Sequence, residues 1–176
     1  LESVYIVDSA GCMLPADLHD YIKVVKNSGF NVGFHGHNNL EMANANCLEA
    51  INCGVKYIDS SLSGIGRSAG NAQTEILVYL MKKIGFDTKV DCYKLFDITE
   101  KYLKPLMVKK QGKSALEIVT GVSKFHTQFL PIFKKVTSKY DVNLYKLIEK
   151  VSNIDCTNPS DKLIDSIAKD MSRIDE

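Results

Sequence analysis

The sequence lacks a long apolar run, a leader-like start and an excess of charge of either sign. No stretch approaches the roughly 20 apolar residues that a membrane-spanning helix needs. The start, LESVYIVDSAG, has no basic segment followed by an apolar one, unlike a secretory signal peptide. With 22 basic and 21 acidic residues, the formal net charge is +1, which favours neither nucleic acid nor a membrane surface as partner. These absences predict a globular, cytoplasmic protein.

Cysteine is present in an odd number and without the spacing that paired thiols need. None of the five cysteines forms a CxxC pair, so a zinc site built from cysteine pairs is not expected. In a reducing compartment we expect them to be free thiols. They are Cys12, Cys47, Cys53, Cys92 and Cys156.

The first half of the chain alternates short apolar runs with segments of helical periodicity. Each predicted strand is followed by a loop and a helix, and glycine ends each helix. Three such units in a row predict an α/β fold of parallel strands with right-handed crossovers. The predicted strands are 3–8, 30–35 and 55–62, and the predicted helices are 15–26, 39–54 and 72–85.

The second half of the chain carries helical patterns only. We therefore expect α/β units over residues 1–88 and a helical appendage over 89–176, joined through KPLMVKKQGKS (104–114). The predicted helices of this half are 91–104, 114–138, 143–151 and 160–173.

Two histidines stand two residues apart where the second predicted strand ends. Alternate strand residues point to the same side, roughly 6–7 Å apart, so His35 and His37 could share one metal ion. The carboxyl ends of parallel strands are where α/β enzymes place their sites. The alternative is a pair of exposed loop histidines. Two imidazoles are too few for a metal site, so a carboxylate ligand must come from elsewhere.

Polar residues also end the first and third predicted strands, in VDS and IDS. Asp8 could orient a histidine N–H or cap its own strand end, and Ser9 could donate to a substrate carboxylate. Asp59 and Ser60 repeat the pattern, which indicates a shared layout.

A glycine-rich loop, SGIGRSAGN (63–71), precedes the third predicted helix. Free N–H groups at a helix start favour an anion, and Arg67 could add a charge-assisted contact. The alternative is that the glycines serve only for turning. Asn39 could orient a ligand, whereas we expect Asn44 and Asn46 on the surface of the second helix.

The other two histidines stand in helical segments. His19 is flanked by acidic residues and is expected to be solvated. His126, in SKFHTQFL, stands in a segment with an apolar helical face and by itself indicates a structural role.

Together, VDSAG, GFHGHNNLEMANA, DSSLSGIGRSAGNAQTE and TGVSKFHTQFL resemble a family of metal-dependent barrel lyases. The family includes 4-hydroxy-2-oxovalerate aldolase, hydroxymethylglutaryl-CoA lyase and isopropylmalate synthase, and the helical tail favours the aldolase. The resemblance spans most of residues 3–150. It implies the C-terminal part of a (β/α)8 TIM barrel, beginning at the sixth strand and followed by a helical region that contacts an acylating aldehyde dehydrogenase.

The resemblance also implies roles for individual residues. His35 and His37 match the histidine ligands of Mn²⁺ or Mg²⁺, and Ser9 matches a serine that contacts the 2-oxo acid substrate. Asn39 and Arg67 complete the expected substrate-binding set. His126 stands where the aldolase has a tyrosine, so it is a candidate catalytic proton donor and leaves the substrate open.

The implied reaction cleaves or forms a C–C bond of a 4-hydroxy-2-oxo acid, giving pyruvate and an aldehyde. In that family the third metal ligand is an aspartate of an Arg-Asp motif on the first strand, followed by the histidine base, and the printed sequence has no matching segment. We therefore expect these 176 residues alone to be inactive and to form a homo- or hetero-oligomer. The alternatives are another lyase or synthase of the family and a non-catalytic barrel module that binds a partner chain.

Overall fold

The computed structural model describes residues 2–107 and 115–173 of the chain. It divides into two compact units, Leu1–Lys113 and Ser114–Glu176. Residues 108–114 of the expected linker lie outside the described residues.

Three parallel strands in the order β1-β2-β3 form the sheet of the first unit. They are β1 (Ser3–Asp8), β2 (Asn31–Gly36) and β3 (Tyr57–Asp59). The parallel α/β arrangement predicted from the sequence is confirmed. The third strand is shorter than expected, because the backbone N–H of Val55 bonds back to Ala50 and that of Ser61 turns toward Ala72.

Each strand is followed by a helix, as predicted. A 3₁₀ turn at Pro15–Asp17 leads into the first helix, and Pro15 suits this start because no N–H is needed there. The second helix begins later than expected, since Glu41 has a positive φ of 62° and the Asn38 side chain accepts from the N–H of Ala43. The helices are α1 (Leu18–Asn27), α2 (Ala43–Asn52) and α3 (Thr74–Lys83).

The two faces of the sheet differ in what covers them. Ile6, Val32 and Phe34 point toward the helices and are buried in the core. The opposite face carries Tyr5 and Tyr57, which remain 41% and 38% exposed. Alternation along each strand therefore separates a packed face from an open one.

The first unit continues past residue 88, where the sequence led us to expect a boundary. Helix α4 (Cys92–Ile98) packs on α3 and continues into a π-helical turn, Thr99–Leu103. The Thr99 hydroxyl donates to the Glu75 carboxylate, and both side chains are 4% exposed. A buried charge needs such partners, so this contact ties α4 to the α/β unit.

The second unit is helical, and its core is formed by aromatic and aliphatic side chains such as Phe125, Phe133 and Leu147. A single helix over 114–138 is wrong. The chain turns between α5 and α6, because Lys124 has a positive φ of 53° and the N–H of Phe125 bonds to Thr120. The helices are α5 (Ala115–Val122), α6 (Leu130–Tyr140), α7 (Leu144–Ser152) and α8 (Asp161–Ser172).

Two expectations from composition concern the whole chain. All five cysteines are free thiols, as predicted. Within the residues that the structure describes, no helix combines the length and the apolar character that crossing a membrane would require.

Truncation of the central core residue should destabilise the first unit far more than truncation of a half-exposed residue of the same type. Phe34 is fully buried, whereas Phe30 is 38% exposed. We expect Phe34→Ala to lower the free energy of unfolding by about 3–5 kcal/mol and Phe30→Ala by about 1 kcal/mol. Urea titrations followed by circular dichroism measure both, and equal losses would contradict the packing described here.

Candidate metal centre at the strand ends

The two histidines predicted to share an ion lie side by side at the carboxyl end of the sheet. His35 is the penultimate residue of β2, and His37 follows the strand. Their ring centroids are 5.2 Å apart and the ring planes meet at 79°. The predicted juxtaposition of the two rings is therefore present.

Each imidazole is oriented by an acceptor at its Nδ1 atom. Nδ1 of His35 lies 3.2 Å from a carboxylate oxygen of Asp59, and Nδ1 of His37 lies 3.2 Å from the carbonyl oxygen of Gly70. Neither acceptor carries a proton when Asp59 is ionised, so both Nδ1 atoms donate. In the neutral rings the lone pair then resides on Nε2, and this is how metal-binding histidines are usually held.

The environment of His37 favours the neutral ring. The side chain is 9% exposed, and its burial lowers the pKa of the imidazole below the ordinary value. The positive charge of Arg67 lowers this pKa further, and His35 adds a smaller effect in the same direction. A neutral imidazole is the form that binds a metal.

Asp8 does not act as the partner of a histidine ring. Its two carboxylate oxygens accept the backbone N–H groups of Cys12 and Met13, each at 3.0 Å. The side chain is 2% exposed and caps its own strand end. The histidine-orienting role belongs instead to Asp59, which stands beside His35 in the strand register.

Arg67 and Ser9, both expected to bind substrate, are brought together by the fold. A guanidinium nitrogen of Arg67 donates to the backbone carbonyl of Ser9 at 2.7 Å. Both residues are exposed, so a positive charge lies at the loop that follows β1.

Backbone N–H groups of the glycine-rich loop and of the helix start after it are bonded to side chains of this chain rather than directed at an anion. Both oxygens of the buried Glu75 carboxylate accept the N–H of Ser63, at 2.9 and 3.0 Å. The N–H of Gln73, at the start of α3, is taken by the Asn44 side chain. A carboxylate at a helix start disfavours a second anion there.

The asparagines of the HNNLEMANAN segment differ from expectation. Asn46 is fully buried, and its amide nitrogen donates to the carbonyl of Met13 at 2.8 Å, so the predicted surface position is wrong. Asn44, on α2, is partly buried, and its side-chain oxygen accepts the N–H of Gln73 at the start of α3. Asn39, 2% exposed, donates to the Ser68 hydroxyl and thereby links the histidine loop to the glycine-rich loop.

Asn71 was not singled out from the sequence. Its backbone forms a bridge with that of His37, and its amide nitrogen donates to the carbonyl of Ile65 at 3.1 Å. Its buried amide oxygen accepts no hydrogen bond in the part of the chain that the structure describes. Amide oxygens are ligands for hard divalent cations, so Asn71 joins the candidate residues.

His126 lies in the second unit, at the start of a 3₁₀ turn rather than within a helix. Its Nδ1 atom accepts the backbone N–H of Gln128 at 3.2 Å. The neutral ring consequently carries its proton on Nε2, where it can donate.

The residues present offer two candidate imidazole ligands, His35 and His37. Within residues 2–107 and 115–173, no His, Cys, Asp or Glu joins His35 and His37 in a set of three ligand atoms that all lie within 4.8 Å of one another. The orientation of the two rings fits a divalent cation, and a further ligand is needed to complete its coordination.

Comparison with known proteins identifies relatives. A family model described as HMGL-like matches residues 2–101. The 4-hydroxy-2-oxovalerate aldolase of Carboxydothermus hydrogenoformans is 35% identical over 173 residues, which cover 98% of this chain and 52% of the relative. The aldolase of the same name from Geobacillus stearothermophilus is 33% identical, with 98% and 51% covered. The chain thus spans about half the length of the curated relatives it matches.

Solved structures show a similar fold at lower identity. The carboxyl transferase domain of Rhizobium etli pyruvate carboxylase has a TM-score of 0.70 at 17% identity, over 99% of this chain and 31% of that one. The HMG-CoA lyase of Bacillus subtilis has a TM-score of 0.57 at 24% identity, with 67% and 42% covered.

The loop after β1 depends on a glycine that packs against Asn39. Gly11 has a φ of +61°, and a Cβ there would lie 2.6 Å from the backbone nitrogen of Asn39. Gly29 has a φ of +81° with nothing within 4 Å, so Gly29→Ala reports the backbone strain alone, about 1–2 kcal/mol. We expect Gly11→Ala to destabilise by at least about 2 kcal/mol more in urea titrations. Equal effects would show that the contact is not tight.

Proposed function

Because the chain belongs to the HMGL-like family, we propose that it forms the C-terminal part of a divalent-metal-dependent aldolase. The proposed reaction cleaves, or in reverse forms, a C–C bond of a 4-hydroxy-2-oxo acid, with pyruvate and an aldehyde as products. The names of the relatives support this substrate class.

The observation that carries the proposal is the orientation of the two imidazoles. His35 and His37 each place Nδ1 3.2 Å from an acceptor oxygen, which leaves both Nε2 atoms available to a metal ion. Two histidines that stand two residues apart at one strand end are both held in this way, as ligands of one ion would be. Mn²⁺ and Mg²⁺ are the ions we propose, since the completed set would also contain oxygen ligands.

When bound, the cation supplies a positive charge that stabilises the negative charge developing on the oxygens of a 2-oxo acid. The chain's own residues hold and orient the two imidazole rings. Asp59 keeps the ring of His35 in place, and the carbonyl of Gly70 does so for His37. Arg67 adds positive charge beside Ser9, at the loop where a substrate carboxylate would be bound.

The remaining ligand and the base are proposed to come from the part of the barrel that this chain does not match in its relatives. The relatives are about twice as long, and the exposed face of the sheet supports a barrel interior that other strands would cover. His126 is proposed as a proton donor through Nε2, and an acylating aldehyde dehydrogenase as a partner of the assembled protein.

A non-catalytic module is the second candidate. The open sheet face, with Tyr5 and Val7 at 41% and 48% exposure, would suit a partner chain equally well. This reading does not account for the hydrogen bonds that orient the two histidines, so metal-dependent turnover separates the two candidates.

Removal of the carboxylate that orients His35 should weaken metal binding. The protein to be measured is a barrel completed by fusing the 176 residues to the part of the Carboxydothermus aldolase that they do not match. In this fusion we expect Asp59→Ala to reduce the affinity for Mn²⁺ about 10- to 100-fold, because the ring of His35 loses its acceptor. Titration calorimetry measures the affinity. Asp20→Ala, which removes an equal charge from the exposed surface of α1, is the control. Equal losses of Mn²⁺ affinity in the two variants would indicate an effect of net charge rather than of the orientation of the His35 ring.

Removal of the two imidazoles should abolish turnover in a completed barrel. We would fuse the 176 residues to the part of the Carboxydothermus aldolase that they do not match and assay Mn²⁺-dependent pyruvate release from 4-hydroxy-2-oxovalerate. We expect turnover from the fusion and none from the 176 residues alone. The His35→Ala, His37→Ala double variant should fall to background, because both imidazole ligands are lost.

Lys23→Ala, on the exposed surface of α1, serves as the matched surface variant and should keep the rate of the unmodified fusion. An unchanged rate in the double-histidine variant would eliminate the metal-dependent mechanism. Turnover by the 176 residues without the added half would contradict the need for a ligand and a base from outside.

A further inference from the structure

A second cluster of metal-ligating side chains lies on the outer helices, away from the strand ends. His19 on α1 has its Nε2 atom 2.7 Å from Oε1 of Glu49 on α2. The Sγ atom of Cys53, which follows α2, lies 3.7 Å from the same oxygen. One nitrogen, one oxygen and one sulfur thus lie within 4.8 Å of one another.

The helical spacing and the contact between helices explain this cluster. Glu49 and Cys53 are four residues apart, so they stand on one face at the carboxyl end of α2. Helix α1 packs against α2 and brings His19 to that face from thirty residues away in the chain. The expectation of a simply solvated His19 is therefore incomplete, since the ring is exposed but paired.

The carboxylate of Glu49 is already turned toward the other two ligands. The side-chain amide of Asn52 donates to Oε2 at 3.4 Å, whereas Oε1 receives both His19 and Cys53. One carboxylate oxygen is held from outside the cluster, and the other lies at its centre. Metal-binding carboxylates are typically held by such outer hydrogen bonds.

We propose that His19, Glu49 and Cys53 bind a zinc ion, with water at the fourth position. Imidazole, carboxylate and thiolate together suit Zn²⁺, and the sulfur disfavours Mg²⁺ or Ca²⁺. This site shares no residue with the pair at the strand ends, and it cross-links α1 to α2. It stands whether or not the proposed aldolase function is correct.

Only small movements separate the present arrangement from a tetrahedral one. Zinc lies about 2.0–2.3 Å from such ligands, which places ligand atoms roughly 3.3–3.8 Å apart. The Cys53–Glu49 distance of 3.7 Å already agrees, and the His19–Glu49 pair must open from 2.7 Å by at least about 0.6 Å. Nε2 of His19 and Sγ of Cys53 lie within 4.8 Å of each other and must reach a similar spacing. Both side chains of that pair are partly exposed, so the rotation is unhindered by the core.

The charges around the cluster favour a protonated thiol until the ion arrives. Burial raises the pKa of Cys53 and the neighbouring Glu49 carboxylate raises it further, while Lys26 lowers it. The amine of Lys26 donates to the carbonyl oxygen of Cys53 at 2.6 Å. Zinc binding releases the thiol proton to solvent, and the thiolate bonds to the metal. Nε2–H of His19 donates to the Glu49 carboxylate without metal, so the neutral ring must carry its proton on Nδ1 once Nε2 bonds to zinc.

Cobalt(II) substitution tests the proposal directly, because a cobalt–thiolate bond gives a charge-transfer absorption band that nitrogen and oxygen ligands do not. The whole 176-residue chain carrying His35→Ala and His37→Ala would be titrated with Co²⁺, so that the strand-end pair cannot contribute. We expect one equivalent of Co²⁺ to produce the band and Zn²⁺ to displace it. Thermal unfolding should shift upward with Zn²⁺, since the ion stabilises the folded state that holds it.

Cys53→Ser should abolish the band and weaken Zn²⁺ binding at least tenfold, and His19→Ala and Glu49→Gln should weaken binding likewise. Cys156→Ser, which removes a thiol from the second unit, should leave the band unchanged. Thermal unfolding without metal checks that each variant folds, and a variant that fails this check is replaced by Cys53→Ala or His19→Gln. A band that survives in Cys53→Ser, or no band in the starting chain, would overturn the proposal.

Discussion

The arrangement of the first unit depends on β2 being hydrogen-bonded as a parallel strand on both sides. In this position its residues must alternate between the helix-covered face and the open face. Phe34 points into the core and is fully buried, so His35 must point the other way. His37 follows two residues later and lies beside it. A shift of one residue would bury the histidine and expose the phenylalanine, so core packing and site geometry are set by the same register.

The same constraint explains why two similar strand endings have different roles. Asp8 and Asp59 both precede a serine at a strand end. In the register, Asp8 stands opposite Gly36 and Asp59 opposite His35. Asp8 therefore points to the helix side, where it caps the following turn, and Asp59 points to the open face, where it receives His35. The face of the sheet toward which a strand residue points decides which carboxylate can orient a histidine ring.

Histidines in the first unit occur in two kinds of surroundings. His37 is buried beside Arg67, and both conditions favour its neutral form. His19 is exposed on an outer helix, and its partner is a carboxylate. We propose the inner pair for a cation that would share its coordination with oxygen ligands and a substrate. The outer set, with its sulfur, fits zinc.

Much of the fold could be predicted from the sequence, because the patterns that predict it involve residues close together in the chain. The three strands, their helices, the glycine stops and the histidine pair all depend on residues near one another in the chain, as do the motifs that identified the family. The burial of Asn46 and the break near Lys124 were missed, since a distant carbonyl and a buried phenylalanine decide them.

The sequence by itself determined the succession of strands and helices in the first unit and the histidine pair at the end of β2. Only the tertiary structure decided the partners of the histidines: Asp59 for His35, Gly70 for His37 and Glu49 for His19. These pairs are separated by 24 to 33 residues. No local sequence pattern predicts these pairs. Parallel strands and packed helices bring together residues that are separated along the chain by an entire strand–loop–helix segment.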